Sequence, residues 1–136
     1  MNFRYKKFGK FLRPVIPIKI KNKSRSVNYE VLVDSGADLC IFDAEIGELI
    51  DLDVESGKRE IVGGIAGQTA EYFIHPVEIE VGGWLYKIEA GFLRRVAGGF
   101  NYGVVGQRGF FDIFVVKFDL SKEEIELKTR KGFSLR

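Results

Sequence analysis

Residues 14–21 alternate: Ile16, Ile18 and Ile20 are separated by Pro17, Lys19 and Lys21, with Pro14 ahead of them. A period of two with one apolar side predicts a half-buried strand with a proline at its start. The polar run NKSRSVN (residues 22–28) predicts a turn, and residues 29–33 a second, more buried strand that delivers Asp34 to its end. VEIEVGGWLYKIEAGF (77–92) predicts a hairpin: Val77, Ile79 and Val81 alternate with Glu78 and Glu80, Gly82 and Gly83 turn, and Trp84, Tyr86 and Ile88 alternate back.

Other segments break this period. In FDAEIGELIDLD (42–53) Asp43 is a helix cap with Ile46, Leu49 and Ile50 on one side, and Gly47 limits the helix to a short or irregular one. EIVGGIAGQTAEYF (60–73) has two β-prone arms around Gly63, Gly64 and Gly67, a mobile hairpin or glycine-rich loop. In YGVVGQRGFFDIF (102–114) the spacing of Phe110, Phe111 and Phe114 predicts one face of a short helix. FVVKFDLSKEEIELK (114–128) predicts a closing hairpin, followed by the polar tail 129–136. Many short strands, one or two short helices and no repeat predict an all-β chain folded as a small closed or partly open β-barrel.

Composition narrows the possibilities. With 136 residues, 46% hydrophobic and 13% aromatic, the chain fits a single domain, 1–136, with a core of about 14–128. The net charge of +2 carries no nucleic-acid or membrane bias. A lone Cys40 and a lone His75 exclude an intrachain disulfide and a Cys/His zinc cluster, so no structural zinc site is expected, and the cysteine usage suits a reducing cytoplasm. The basic N-terminal segment is too short, and too broken by Pro14 and Pro17, for a signal peptide or membrane span. We therefore expect a soluble cytoplasmic protein, and Met1 with the polar tail leads us to expect a complete one.

The stretch EVLVDSGADLC (30–40) carries the candidate chemistry. A carboxylate at the end of an apolar strand is costly unless hydrogen-bonded, so Asp34 is either satisfied structurally or held there for a reaction. Asp-Ser-Gly alone is equally well an ordinary turn. Its context is more specific: LVDSGAD (32–38) is followed by IVGGIAGQT (61–69) and then by VVGQRGFF (104–111).

Three motifs in this order resemble the retropepsin-like aspartic proteases, over residues 14–128. The resemblance implies a closed β-barrel subunit of the acid-protease type, assembled as a two-fold homodimer that cleaves polypeptides. It makes Asp34 the catalytic carboxylate within the loop Ser35, Gly36 and Ala37, with no cofactor and no metal. It further implies that the Ser35 hydroxyl bonds across to the partner loop, that Gly36 and Asp38 contact the substrate main chain, that Gly63, Gly64, Ile65, Ala66 and Gly67 form a flap, and that Val104 and Val105 pack behind the loop and line part of the cleft. The chain departs from retroviral members at Gln107, where they carry a basic residue; here Arg108 comes one place later.

Two other readings remain open. One is a retropepsin-like fold kept for binding or assembly, with weak or no proteolysis. The other is a small barrel that binds single-stranded nucleic acid through NFRYKKFGKFLR (2–13), where five cations interleave with Phe3, Tyr5, Phe8 and Phe11, although the same composition suits a strand docked on the barrel or on a partner subunit. His75 reads as structural, Cys40 as a small buried hydrophobe, and Asp112 and Asp119 as turn or helix residues.

Overall fold

The computed structural model describes residues 1–63, 69–94 and 103–132. In chain order these form β1 (Asn2–Arg4), β2 (Lys6–Phe8), β3 (Phe11–Arg13), β4 (Val15–Asn22), β5 (Arg25–Val33), β6 (Ile41–Asp43), helix α1 (Ala44–Leu49), a 3₁₀ turn (Val54–Ser56), β7 (Lys58–Gly63), β8 (Thr69–Val81), β9 (Trp84–Leu93), β10 (Gly103–Val105), β11 (Phe114–Asp119) and β12 (Glu124–Thr129).

The main sheet runs β4-β5-β10-β6-β9-β8-β7, and β4 also pairs with β8. That extra pairing closes six strands into a barrel, with β7 attached outside on β8. The inward positions of the alternating strands fill it: Ile16, Ile20, Val31, Phe42, Ile79 and Phe92 are all fully buried. Each such side chain contributes about 1.5–3 kcal/mol relative to exposure. Phe42 and Phe92 meet edge to face, their centroids 5.8 Å apart.

The hairpin expected around Gly82 and Gly83 is present, with Val81 opposite Trp84. Both glycines have positive φ, 59° and 90°, as a two-residue turn of the type I′ class needs. The closing hairpin is present as β11 and β12, Asp119 opposite Glu124. A second sheet, β1-β12-β11, joins the two ends of the described chain, with Phe3 opposite Ile125. Among the described residues, strands β2 and β3 pair only with each other.

Three local expectations are corrected. The turn predicted over 22–28 shrinks to Lys23 and Ser24, because Asn22 already pairs with Arg25 and Lys21 with Ser26. Residues 26–30 alternate between exposed and half-buried, so their polar content marks the outer face of a strand and not a turn. In α1, Asp43 does cap the helix, accepting from the Glu45 amide at 2.9 Å, but the expected apolar side is wrong at Leu49, which is exposed. Ile50 is fully buried and Ile46 packs against the core as expected, and the helix also buries Ala44 and Gly47. A Cβ on Gly47 would stand 2.9 Å from the Phe92 ring and 3.2 Å from Val54, so the glycine sets how closely the helix approaches. Finally, no helix forms over residues 110–114, although the Phe114 amide donates to the Phe110 carbonyl at 2.9 Å and these two fully buried rings pack with centroids 4.9 Å apart, Phe111 being only half-buried. Amides of Phe111 and Asp112 reach back five residues to Gly106 and Gln107, a wide turn, and Phe114 already begins β11.

Candidate active site

β10 threads between β5 and β6, parallel to the first and antiparallel to the second. The parallel register sets Val31 beside Gly103, Leu32 beside Val104 and Val33 beside Val105. The end of β5 is thus held from both sides: the Val33 amide donates to the Pro14 carbonyl at 2.8 Å, and the Asp34 amide to the Val105 carbonyl at 3.0 Å. Asp34 leaves the strand on a backbone with no freedom to swing.

Beyond it the chain turns at once. The Gly36 amide donates to Asp34 Oδ1 at 2.9 Å and the Ala37 amide to the Asp34 carbonyl at 3.2 Å. Asp34 is half-buried, while Ser35 and Gly36 are exposed. The carboxylate is therefore oriented by its own turn and presented at a surface, which is the geometry a reacting group needs.

The segment after β10 locks the turn from behind. The amides of Gln107 and Arg108 donate to the carbonyls of Ala37 and Asp38, at 2.8 and 3.0 Å, and the Gln107 side-chain amide donates to the Ser35 carbonyl at 2.6 Å. Gly106 makes this approach possible: a Cβ there would lie 2.4 Å from the Ala37 carbonyl oxygen and 2.6 Å from that of Leu39. Gln107, read from the sequence only as a departure from a basic residue, braces the loop within its own chain. Its signal in the sequence was position alone, directly after a glycine that faces the Asp34 loop.

The other expected site residues divide. Asp38 is exposed, as are Ser35 and Gly36. Val104 is half-buried, whereas Val105, at 0% exposure, belongs to the core behind the loop and presents no surface to a ligand. Gly63 ends β7, and Gly64, Ile65, Ala66 and Gly67 lie outside the described residues.

Residues set aside from chemistry have structural partners. His75 is buried, its Nε2 donating to the Val54 carbonyl at 2.7 Å and its ring edge-on to Phe92. Cys40 is fully buried, 3.4 Å from the Arg108 carbonyl, and burial pushes its thiol up to about 12. Asp112 accepts from the Gly109 amide at 3.0 Å. A cluster the sequence did not reveal joins distant elements: Arg94 bonds Glu48 of α1 at 2.9 Å and Glu55 of the 3₁₀ turn at 2.8 Å. These bonds hold both carboxyls below their ordinary value. A groove of about 530 Å³ on the outer face of β7–β9, lined by Leu39, Ile74, Ile88 and Arg108 among others, does not include Asp34. Among the described residues no group of three or more His, Cys, Asp or Glu could hold a metal ion, and no helix is long and apolar enough to cross a membrane.

The chain matches no protein-family profile and no curated protein. Solved structures do match it. EIAV protease, complexed with the inhibitor HBY-793, is 20% identical with a TM-score of 0.53, the match covering 75% of this chain and 88% of that one. A retropepsin-like aspartic protease from Rickettsia conorii is 14% identical with a TM-score of 0.62, covering 93% of this chain and 90% of that one. The fold is that of the retropepsin-like aspartic proteases.

Proposed function

We propose that this chain is one half of a homodimeric aspartic endopeptidase, with Asp34 as the catalytic carboxylate. One observation carries the reading: Asp34 stands at the end of a strand pinned on both sides, in a turn locked by Gly106 and Gln107, with its own Ser35 and Gly36 exposed in front. The chain holds a single Asp-Ser-Gly, so the second carboxylate comes from a second copy, and a two-fold axis places the two Asp34 residues together.

Two carboxylates this close cannot both be ionised and share one proton. The ionised one takes a proton from water as the water oxygen bonds to the amide carbon. The protonated one hydrogen-bonds to the carbonyl oxygen. Passing a proton to the amide nitrogen then lets the C–N bond break, and the shared proton is restored. Asp38 and the Gly36 backbone hold the peptide main chain, and the glycine-rich connection between β7 and β8 serves as the lid that excludes water.

The outer edge of β11 supports a dimer. It is the last strand of its sheet, and Val115, Phe118 and Leu120 are exposed along it and just beyond. An unpaired strand edge carrying apolar side chains is a template for a second strand.

The test is cleavage of a diverse peptide pool by wild type and by Asp34→Asn, from acidic to neutral pH and across protein concentrations, with mass measured on the same samples. We expect cleavage by wild type only, rising faster than linearly at low concentration. Equal cleavage by Asp34→Asn removes the mechanism, and a demonstrated dimer that cuts nothing makes the fold a binding module.

A further inference from the structure

Charge is distributed unevenly along the chain. Nine of its 21 basic residues lie in residues 1–29, which contain none of its 19 acidic residues. Those on β4 stand beside acidic residues of the neighbouring strand β8, Lys19 in register with Glu80 and Lys21 with Glu78. The hairpin of β2 and β3 carries no acidic residue of its own. Of its four cations, Lys6 pairs with Glu30, while Lys7 and Lys10 are exposed and have no acidic partner among the described residues.

The hairpin has a built face. Lys6 is opposite Arg13 and Phe8 opposite Phe11, so these four share one side, and the two-residue turn at Gly9 (φ 60°) and Lys10 closes it. Lys6 and Arg13 both lie over the Phe8 ring, at 5.7 and 5.5 Å. Phe11 is 65% exposed, which leaves an open aromatic side chain beside the cations at the turn end of the hairpin.

Its position matters most. β3 ends at Arg13, and the next residue, Pro14, accepts the hydrogen bond of Val33, the residue immediately before Asp34. The basic, aromatic hairpin is thus rooted beside the candidate catalytic loop. We infer that it is a docking surface for an acidic stretch of the polypeptide substrate, held at the turn end of the hairpin by Lys10 and Phe11, with Lys7, opposite Leu12 on the reverse side of the ribbon, adding to the positive field, while a neighbouring peptide bond lies over Asp34. This inference rests on the endopeptidase reading and narrows its substrate class.

The experiment takes one cleavable peptide from the pool and extends it at either end with a tract of glutamates or of serines. Wild type should favour the acidic version by about tenfold in kcat/KM, carried by KM, and lose that preference at about 0.5 M salt, where exposed charges are screened. The double variant Lys7→Glu/Lys10→Glu should lose the preference while cutting the serine version at the wild-type kcat, and Phe11→Ser should raise KM for the acidic version alone. Equal KM for the two peptides in wild type, or a preference that survives in the double variant, overturns the inference. Fluorescence anisotropy of the same labelled peptides on the full chain separates the two claims: if nothing is cut but the acidic peptide binds through Lys7 and Lys10, the protease reading fails and the docking surface stands. Tighter, Lys7- and Lys10-dependent binding of a single-stranded oligonucleotide, with no discrimination between the peptides, assigns the hairpin to nucleic acid instead.

Discussion

The side-chain amide of Gln107 donates to the backbone carbonyl of Ser35 at 2.6 Å, across 72 residues of sequence. With the Gln107 backbone bonded to Ala37, a single residue grips the Asp34 turn at two points.

Gln107→Ala should keep the backbone grip and lose the side-chain one. Removing one such hydrogen bond costs about 1 kcal/mol of stability. The denaturant midpoint should fall modestly, and peptide cleavage should fall further than that loss explains, because the turn that orients Asp34 loosens. Unchanged cleavage would show that the bond does not position the carboxylate.

Gly106→Ala should be far more damaging. Its Cβ would meet two backbone carbonyl oxygens, those of Ala37 and Leu39, at 2.4 and 2.6 Å, and neither can rotate away as a side chain could. Separating the two segments should destabilise the fold by at least about 2 kcal/mol, read from chemical denaturation.

Cys40 should resist alkylation in the folded protein at mildly alkaline pH. Its thiol is fully buried and held at about 12, so almost none is thiolate, the reactive form. Labelling followed by mass spectrometry should show rapid reaction only in denaturant. Fast labelling of the native chain would contradict the burial.

The Arg94 cluster predicts a sign for the pH dependence of stability. Glu48 and Glu55 are lowered in the folded state, chiefly by hydrogen bonds to Arg94. Groups lowered on folding add stability above their unfolded pKa, and it is lost as pH falls through the folded one. Arg94→Gln should therefore be less stable than wild type at neutral pH, with the gap closing on acidification and in high salt. The effect should be small, since the three side chains are about half exposed.

Local chemistry made much of this legible in advance. Ile16, Ile18 and Ile20 announced β4, Gly82 and Gly83 announced the turn of the longest hairpin, and Asp43 announced the cap of α1, because each depends on side-chain alternation or backbone conformation within a few residues. The same reasoning overextended the turn at 22–28 and placed Leu49 on the buried face of α1, where Ile46 and Ile50 do lie. Outward residues of a strand are as polar as a turn, and a helix of six residues takes its buried side from the neighbour it meets, here Phe92.

Alternation and turn residues alone determined that the chain is built of short amphipathic strands and that Asp34 ends one of them. Which strands become neighbours was decided only in three dimensions. The closure of β4 on β8, the threading of β10 between β5 and β6, and the grip of Gln107 on Ser35 all join residues far apart in sequence. A period of two says which face of a strand is buried, but the backbone hydrogen bonds of a strand edge are open to any other strand, so partners are selected by how the whole barrel packs.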